Sequence, residues 1–131
     1  MSIECRNLWK VYGEARLDLA SRPVDDTLQQ ATKAGAHVAL ADISLSVRPG
    51  ETLVVMGLSG SGKSTLLRCL TRLIEPTHGE VLFDGVPLTG MPRAALLDLR
   101  KRHMSMVFQN FALLPHRTVL GNVELPLEIQ K

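Results

Sequence analysis

The stretch Gly57-Leu58-Ser59-Gly60-Ser61-Gly62-Lys63-Ser64-Thr65 decides the reading of this chain, because it fits the phosphate-binding pattern G-x-x-x-x-G-K-[ST]. Its flanks fit as well. Residues 52–56 form a short apolar run that reads as a buried strand, and residues 66–73 carry apolar side chains at helical spacing. Strand, glycine loop and helix, in that order, put a curled backbone and a helix N-terminus around one anion. Glycines adopt positive φ without a Cβ clash, so successive N–H groups can be aimed inward as an anion nest. The helix adds unpaired N–H groups and the positive end of its dipole. Gly57, Ser59, Gly60, Ser61 and Gly62 are therefore expected to cradle the phosphates of a nucleotide, with ATP and magnesium (Mg2+) the first expectation. Lys63 is the candidate charge for the β- and γ-phosphates, Ser64 the candidate magnesium ligand, and Thr65 a candidate donor to the α-phosphate.

Composition bounds what surrounds the loop. At 131 residues the chain has the size of one ordinary domain, and 45% apolar content is enough for a packed core. A net charge of +2 gives no argument for a nucleic-acid partner. Arg100, Lys101 and Arg102 form a short basic run that reads as a solvated helix end, favoured there by the dipole. Cys5 and Cys69 belong to no C-x-x-C pair and read as buried thiols in a reducing compartment. His37, His78, His103 and His116 show no ligand spacing, so no metal beyond magnesium is expected. No signal-peptide pattern opens the chain, and no run approaches the ~20 apolar residues of a membrane span. A cytosolic protein that docks on a membrane partner is the expectation.

Residues 3–11 read as a strand ending at Gly13. An irregular stretch with Pro23 comes next, then a short helix over 27–34 started by Asp25-Asp26 and stopped by Gly35. This helix lies in an apparent insertion at about 14–41. Residues 43–47 alternate as a half-buried strand, and Pro49-Gly50 turns the chain into the next segment. After the glycine loop and its helix, residues 80–83 read as a strand and Asp84-Gly85 as a hairpin turn. Pro92 suits the first turn of a helix reaching about Lys101, residues 104–108 read as a second buried strand, and Thr118 can cap a turn starting at Val119. The strands near 3–11, 43–48 and 80–88 look antiparallel, whereas 52–56 and 104–108 suit a parallel sheet covered by helices. The fold class is thus α/β: a P-loop NTPase core with an antiparallel β-subdomain.

Together these local signals resemble the ATP-binding subunits of ABC transporters. The loop has that family's form. Asn7-Leu8-Trp9-Lys10-Val11-Tyr12-Gly13 resembles its opening strand and adenine-stacking aromatic, 79–85 its hairpin, and Val107-Phe108-Gln109 its Q-loop. The insertion, Leu70-Thr71-Arg72-Leu73-Ile74-Glu75-Pro76-Thr77 and the segment 104–113 are closest to the importers of glycine betaine, proline, choline and related quaternary amines. The resemblance implies that Tyr12 stacks on adenine, with an edge or core aromatic as the alternative and Trp9 as a competitor more suited to the core. It implies that Gln109 reaches magnesium and the attacking water, with a solvated loop amide as the alternative. Phe111 to His116 would meet the membrane subunit's coupling helix, or would simply pack. Partners would be transmembrane permease subunits and a second nucleotide-binding subunit, on the inner face of the cell membrane.

The resemblance is incomplete. The family's magnesium carboxylate, water-activating glutamate and L-S-G-G-Q signature do not come after Gln109 before Lys131, so the chain reads as truncated before the C-terminal half of the domain. Ala94-Ala95-Leu96-Leu97-Asp98 looks superficially acidic-motif-like, but its spacing is helical and Asp98 reads as an exposed helix residue. No steady ATPase activity and marginal stability are expected of the chain alone. Two alternatives remain beside the importer subunit: a nucleotide-binding half-domain without catalysis, and a small P-loop kinase, for which no Arg-rich lid is seen.

Overall fold

The computed structural model describes residues 1–14, 17–109 and 113–129. Four strands form one antiparallel sheet in the order β2-β1-β3-β4, with β1 at Ile3–Tyr12, β2 at His37–Val47, β3 at His78–Phe83 and β4 at Val86–Pro87. Four helices accompany them among the described residues: α1 (Val24–Lys33), α2 (Lys63–Leu70), α3 (Arg93–His103) and α4 (Val119–Ile129). The antiparallel β-subdomain expected from the sequence is present, and Asp84-Gly85 closes its hairpin. Both turn residues hold positive φ, 46° and 77°, and Phe83 pairs with Val86 across them, as a two-residue turn between twisted strands requires.

One face of this sheet carries the core. Cys5 and Leu8 of β1, Leu40 of β2 and Val81 of β3 pack with Leu66, Cys69 and Leu70 of α2 and with Leu88. The helix that begins at the glycine loop is therefore fixed by its apolar stripe against the middle of the sheet. Trp9 is fully buried, as its reading as a core side chain anticipates. Helix α1 packs on β2 and buries Thr27 and Ala31.

Strand β2 begins at His37, six residues before the alternating run that reveals it in the sequence. Three irregularities in its ladder with β1 hide it. The register slips between Cys5 and Leu8, between Leu8 and Lys10, and between Lys10 and Val11. Asn7 and Asp42 adopt positive φ (47° and 51°) at the first two, and Asn7 Nδ2 donates to Asp42 Oδ1 at 2.9 Å. At the third, Lys10 pairs with Leu40 and Val11 with Val38, so Ala39 is the extra residue of a bulge. A bulge twists its strand and re-aims the neighbouring residues. Here it brings the start of β2 beside the glycine loop.

Two strand expectations need correction. Neither 52–56 nor 104–108 is paired into a sheet among the described residues. Buried parallel strands draw their backbone hydrogen bonds from neighbours on both sides, and no described strand lies alongside either segment. Their apolar side chains are correspondingly open: Val54 is 69% exposed, Met56 85% and Val107 99%.

The basic run at the end of α3 is also not simply solvated. Arg100 Nε donates to the Thr71 carbonyl at 2.9 Å, and its other nitrogen donates to the Arg72 carbonyl. Arg100 thus ties α3 to the open carbonyls past the end of α2. Burial holds its guanidinium below the usual range, with the Arg72 charge adding to the effect. Only Lys101 and Arg102 are exposed, and Arg102 pairs with Asp98 one turn earlier at 2.9 Å. Asp98 is therefore an exposed helix residue, as expected. Pro92 stands just before α3 rather than in its first turn. Thr118 accepts the Gly121 N–H at 3.1 Å, capping a full helix where the sequence suggests only a turn.

Candidate functional site

The glycine loop folds as a nest closed by its own lysine. Gly60 and Gly62 hold φ of +80° and +88°, a region that side chains rarely enter. Lys63 Nζ donates to the Gly57 carbonyl at 2.8 Å, to the Leu58 carbonyl at 2.6 Å and to Ser61 Oγ at 3.4 Å. The ammonium is held over the loop by oxygens that an incoming anion could replace. Gly62 precedes Lys63, the first residue of α2, so the helix starts at the loop and its first N–H groups lack intrahelical partners there. A Cβ on Gly57 would stand 2.6 Å from Ser61 Oγ, and one on Gly62 would overlap the Ala39 carbonyl oxygen. Gly62 is thus demanded by space as well as by φ, whereas at Gly57 the Ser61 hydroxyl could swing aside. The residues present therefore fit a polyphosphate: the amides of a helix start, one ammonium group and hydroxyls from Ser61, Ser64 and Thr65.

A depression of about 180 Å³ lies against this loop, lined by Gly60, Ser61, Gly62, Lys63, Ser64, Thr65, Ala39, His37 and Tyr12. The predicted aromatic and the predicted phosphate loop are thus brought to one site by the sheet, Tyr12 being the last residue of β1. Tyr12 is 41% exposed, so it is an edge aromatic available for contact and no part of the core. Lys10 Nζ stands 4.9 Å from the centre of its ring and donates to the Glu75 carbonyl at 2.9 Å. A cation in that position is attracted by the ring's negative face.

On the other flank, a second depression of about 420 Å³ is lined by Lys63, Ser64, Val55, Leu67, Met106, Phe108 and Gln109, among others. Lys63 and Ser64 line both depressions. Gln109 is exposed and lines this second depression together with Lys63 and Ser64, whereas Tyr12 lines only the first. Gly57 and Ser59 line neither depression, though the Gly57 carbonyl holds Lys63. Of the predicted coupling surface, Phe111 and Ala112 lie outside the described residues; Leu113 and His116 are exposed and Leu114 is half-buried.

His37 and Ala39 are the site residues that sequence reasoning missed. Their signal lay in pairing rather than in motif: His37 is the cross-strand partner of Tyr12. Below the loop, burial raises the thiols of both Cys5 and Cys69 above the ordinary range. Among the described residues no three His, Cys, Asp or Glu side chains cluster as metal ligands, and no helix is long and apolar enough to cross a membrane.

Comparison with known proteins agrees with this geometry. The family model described as ABC transporter matches residues 40–131. The chain is 44% identical over 98% of its length to the glycine betaine/proline betaine transport system ATP-binding protein ProV of Escherichia coli, and covers 33% of that protein. It is 46% identical over 98% of its length to the trimethylamine N-oxide transport system ATP-binding protein TmoW of Ruegeria pomeroyi, covering 38% of it. The chain thus spans about a third of the length of these curated relatives. Among solved structures, the dimeric bacterial ABC transporter cassette MJ0796 superposes with a TM-score of 0.75 at 32% identity, covering 98% of this chain and 48% of that one. A second structure of MJ0796, a post-hydrolysis state bound to ADP and Pi, superposes equally well.

Proposed function

The chain belongs to the ABC transporter family, and on that premise we propose that its loop 57–65 binds ATP with magnesium as part of the energy-coupling subunit of an importer for glycine betaine, proline or choline-type osmolytes. One observation carries the reading. A single depression joins the exposed Tyr12 ring to the loop backbone, Lys63, Ser64 and Thr65. An aromatic ring and a set of donors in one depression match a molecule that carries both a base and phosphates.

The residue roles rest on chemistry. Tyr12 stacks on the base, a contact of about 1–3 kcal/mol that tolerates different bases. The amides of Gly60 and Gly62 and the first turn of α2 bind phosphate oxygens, joined by that of Ser61 if it gives up the Leu58 carbonyl. Lys63 exchanges its hold on the Gly57 and Leu58 carbonyls for the β- and γ-phosphates. Thr65 donates to the α-phosphate. Ser64 is the protein ligand of the magnesium, with Gln109 beside it, oriented to position water. The bound metal would neutralise phosphate charge there.

In the whole protein this site would couple ATP hydrolysis to transport, with Lys63 and Gln109 in the catalytic machinery. Partners would be transmembrane permease subunits and a second nucleotide-binding subunit, which would hold the protein at the inner face of the cell membrane. The names of ProV and TmoW, ATP-binding proteins of glycine betaine/proline betaine and trimethylamine N-oxide transport systems, support this. Residues 1–131 are read as the N-terminal part of a nucleotide-binding domain with an insertion at about 14–41; α1 lies inside the insertion, and its last residues open β2.

The test is calorimetry on the chain with magnesium-ATP. Uptake that disappears in Lys63→Ala and loses most of its magnesium dependence in Ser64→Ala is expected. Unaltered uptake in Lys63→Ala would refute the assignment.

A second reading, nucleotide binding without turnover by this segment, is favoured by one observation: among the described residues, neither depression touching Lys63 and Ser64 is lined by an Asp or Glu. Phosphoryl transfer in P-loop NTPases draws on a carboxylate at the metal as well as a water-positioning group, and Gln109 could supply only the second. An ATPase assay should show no steady activity above background, and sustained turnover abolished by Lys63→Ala would overturn this reading.

A further inference from the structure

Resting on the nucleotide assignment above, we infer that His37 is a second base-recognition residue, forming with Tyr12 a two-ring stacking surface at the end of the pocket.

The placement is built by the sheet. His37 lies directly opposite Tyr12 at the open end of the β1–β2 ladder, and opposed residues of an antiparallel pair project from the same face. Their ring centres are 6.4 Å apart and their planes differ by only 19°. Both rings line the depression that also contains Lys63, Ser64 and Thr65. The bulge at Ala39 brings this stretch of β2 against the loop, and Ala39 itself lines the same depression with a side chain too small to fill it.

Neither ring belongs to the core. His37 and Tyr12 are both exposed, and the His37 side chain makes no hydrogen bond or ion pair among the described residues. Two nearly parallel π-faces held at one end of a phosphate-binding depression present what a heterocyclic base can stack on. A ligand made only of phosphates would have no use for them. Every base has a π-face, so such a surface adds affinity for nucleotides as a class over inorganic polyphosphate. His37 comes to this place only because β2 starts early and bulges. No spacing motif in the sequence marks it.

The test compares two ligands on the intact chain by calorimetry: magnesium-ATP and magnesium-tripolyphosphate, which lacks base and sugar. His37→Ala should weaken ATP binding by about tenfold, the loss of one aromatic stack, and leave tripolyphosphate unchanged. His37→Phe should restore most of the loss, and His37→Gln should not. Because the residue is exposed, circular dichroism should show all three variants folded like the unaltered chain. The inference is overturned if His37→Ala binds ATP as tightly as the unaltered chain. It is equally overturned if tripolyphosphate binding falls in parallel, or if Gln rescues where Phe does not. Failure of the unaltered chain to bind either ligand would instead refute the nucleotide assignment and this inference with it. Binding of both ligands with no effect at His37 refutes the inference alone.

Discussion

Gly62 and Ala39 approach so closely that a side chain on the glycine would overlap the alanine's carbonyl oxygen. The glycine loop is wedged against β2 at the very residue that bulges out of the β1–β2 ladder. Loop shape and sheet irregularity are thus two sides of one contact, and the position of α2 depends on it.

Gly62→Ala should therefore cost more than conformational preference alone. Residue 62 holds φ +88° and has no free space, whereas residue 60 holds φ +80° with nothing within 4 Å of an added Cβ. Gly60→Ala should destabilise by about 1–2 kcal/mol, the ordinary left-handed penalty. Gly62→Ala should exceed it by at least ~1 kcal/mol from the clash and should weaken phosphate binding more. Urea unfolding of both variants checks the order; equal losses would mean that the Ala39 contact yields freely.

Arg100 and Arg102 sit half a turn apart on α3 yet should behave differently. Arg100 donates to the carbonyls of Thr71 and Arg72, at the end of α2. Arg102 only meets Asp98 at the surface. Arg100→Ala should lower unfolding free energy by about 1.5–3 kcal/mol, as expected for charged hydrogen bonds to carbonyls left without partners. Arg102→Ala should change it by about 0.5 kcal/mol or less. Thermal or urea denaturation of the pair decides, and similar losses would place the interaction at the general charge of the helix end.

The open apolar segments should make the chain self-associate. Val54 is 69% exposed and Val107 99%, and exposed apolar surface drives association. Val54→Lys and Val107→Lys together should reduce association in sedimentation measurements and lower the fluorescence of an apolar dye. Stability should stay nearly unchanged, because neither side chain is in the core. A drop in stability would show that both segments are packed in solution.

Alkaline pH should weaken the fold through the two thiols. Burial raises the pKa of Cys5 and Cys69 in the folded chain. In the unfolded chain they lose their protons at lower pH, so the unfolded state then binds fewer protons than the folded one. Stability from these groups is complete below the ordinary thiol pKa of about 8.5 and falls as pH rises above it. Urea midpoints measured from pH ~7 to ~10 should fall, and the slope should be shallower in Cys69→Ala. A thiol reagent should modify both cysteines only as fast as the chain opens; immediate modification of the folded chain would contradict their burial.

Much of this architecture was legible in the sequence because its signals were local. The loop 57–65 carries its own glycines and lysine, Asp84-Gly85 names its turn, and the apolar spacing of Leu66, Cys69 and Leu70 marks the face of α2 that meets the sheet. Tyr12 and Lys63 were both expected at a nucleotide site, and the fold does bring them to one depression. The hidden features depend on partners. The runs at 52–56 and 104–108 have strand composition, but a strand exists only when a neighbour pairs with it. The first half of β2 was obscured because each slip of register inverts the alternation by which strands are read, and His37 was hidden with it. Arg100 looked like one charge in a solvated run because its acceptors, Thr71 and Arg72, lie nearly thirty positions away.

The lysine folded onto its own loop sets a threshold for entry. Its ammonium already has three oxygens around it, so a visiting anion must offer more than it displaces. Chloride or a lone phosphate gives a poor exchange, while a chain of phosphates engages amides and ammonium together. On the proposed reading the loop is in that sense a filter, biased toward long anions before any base is read.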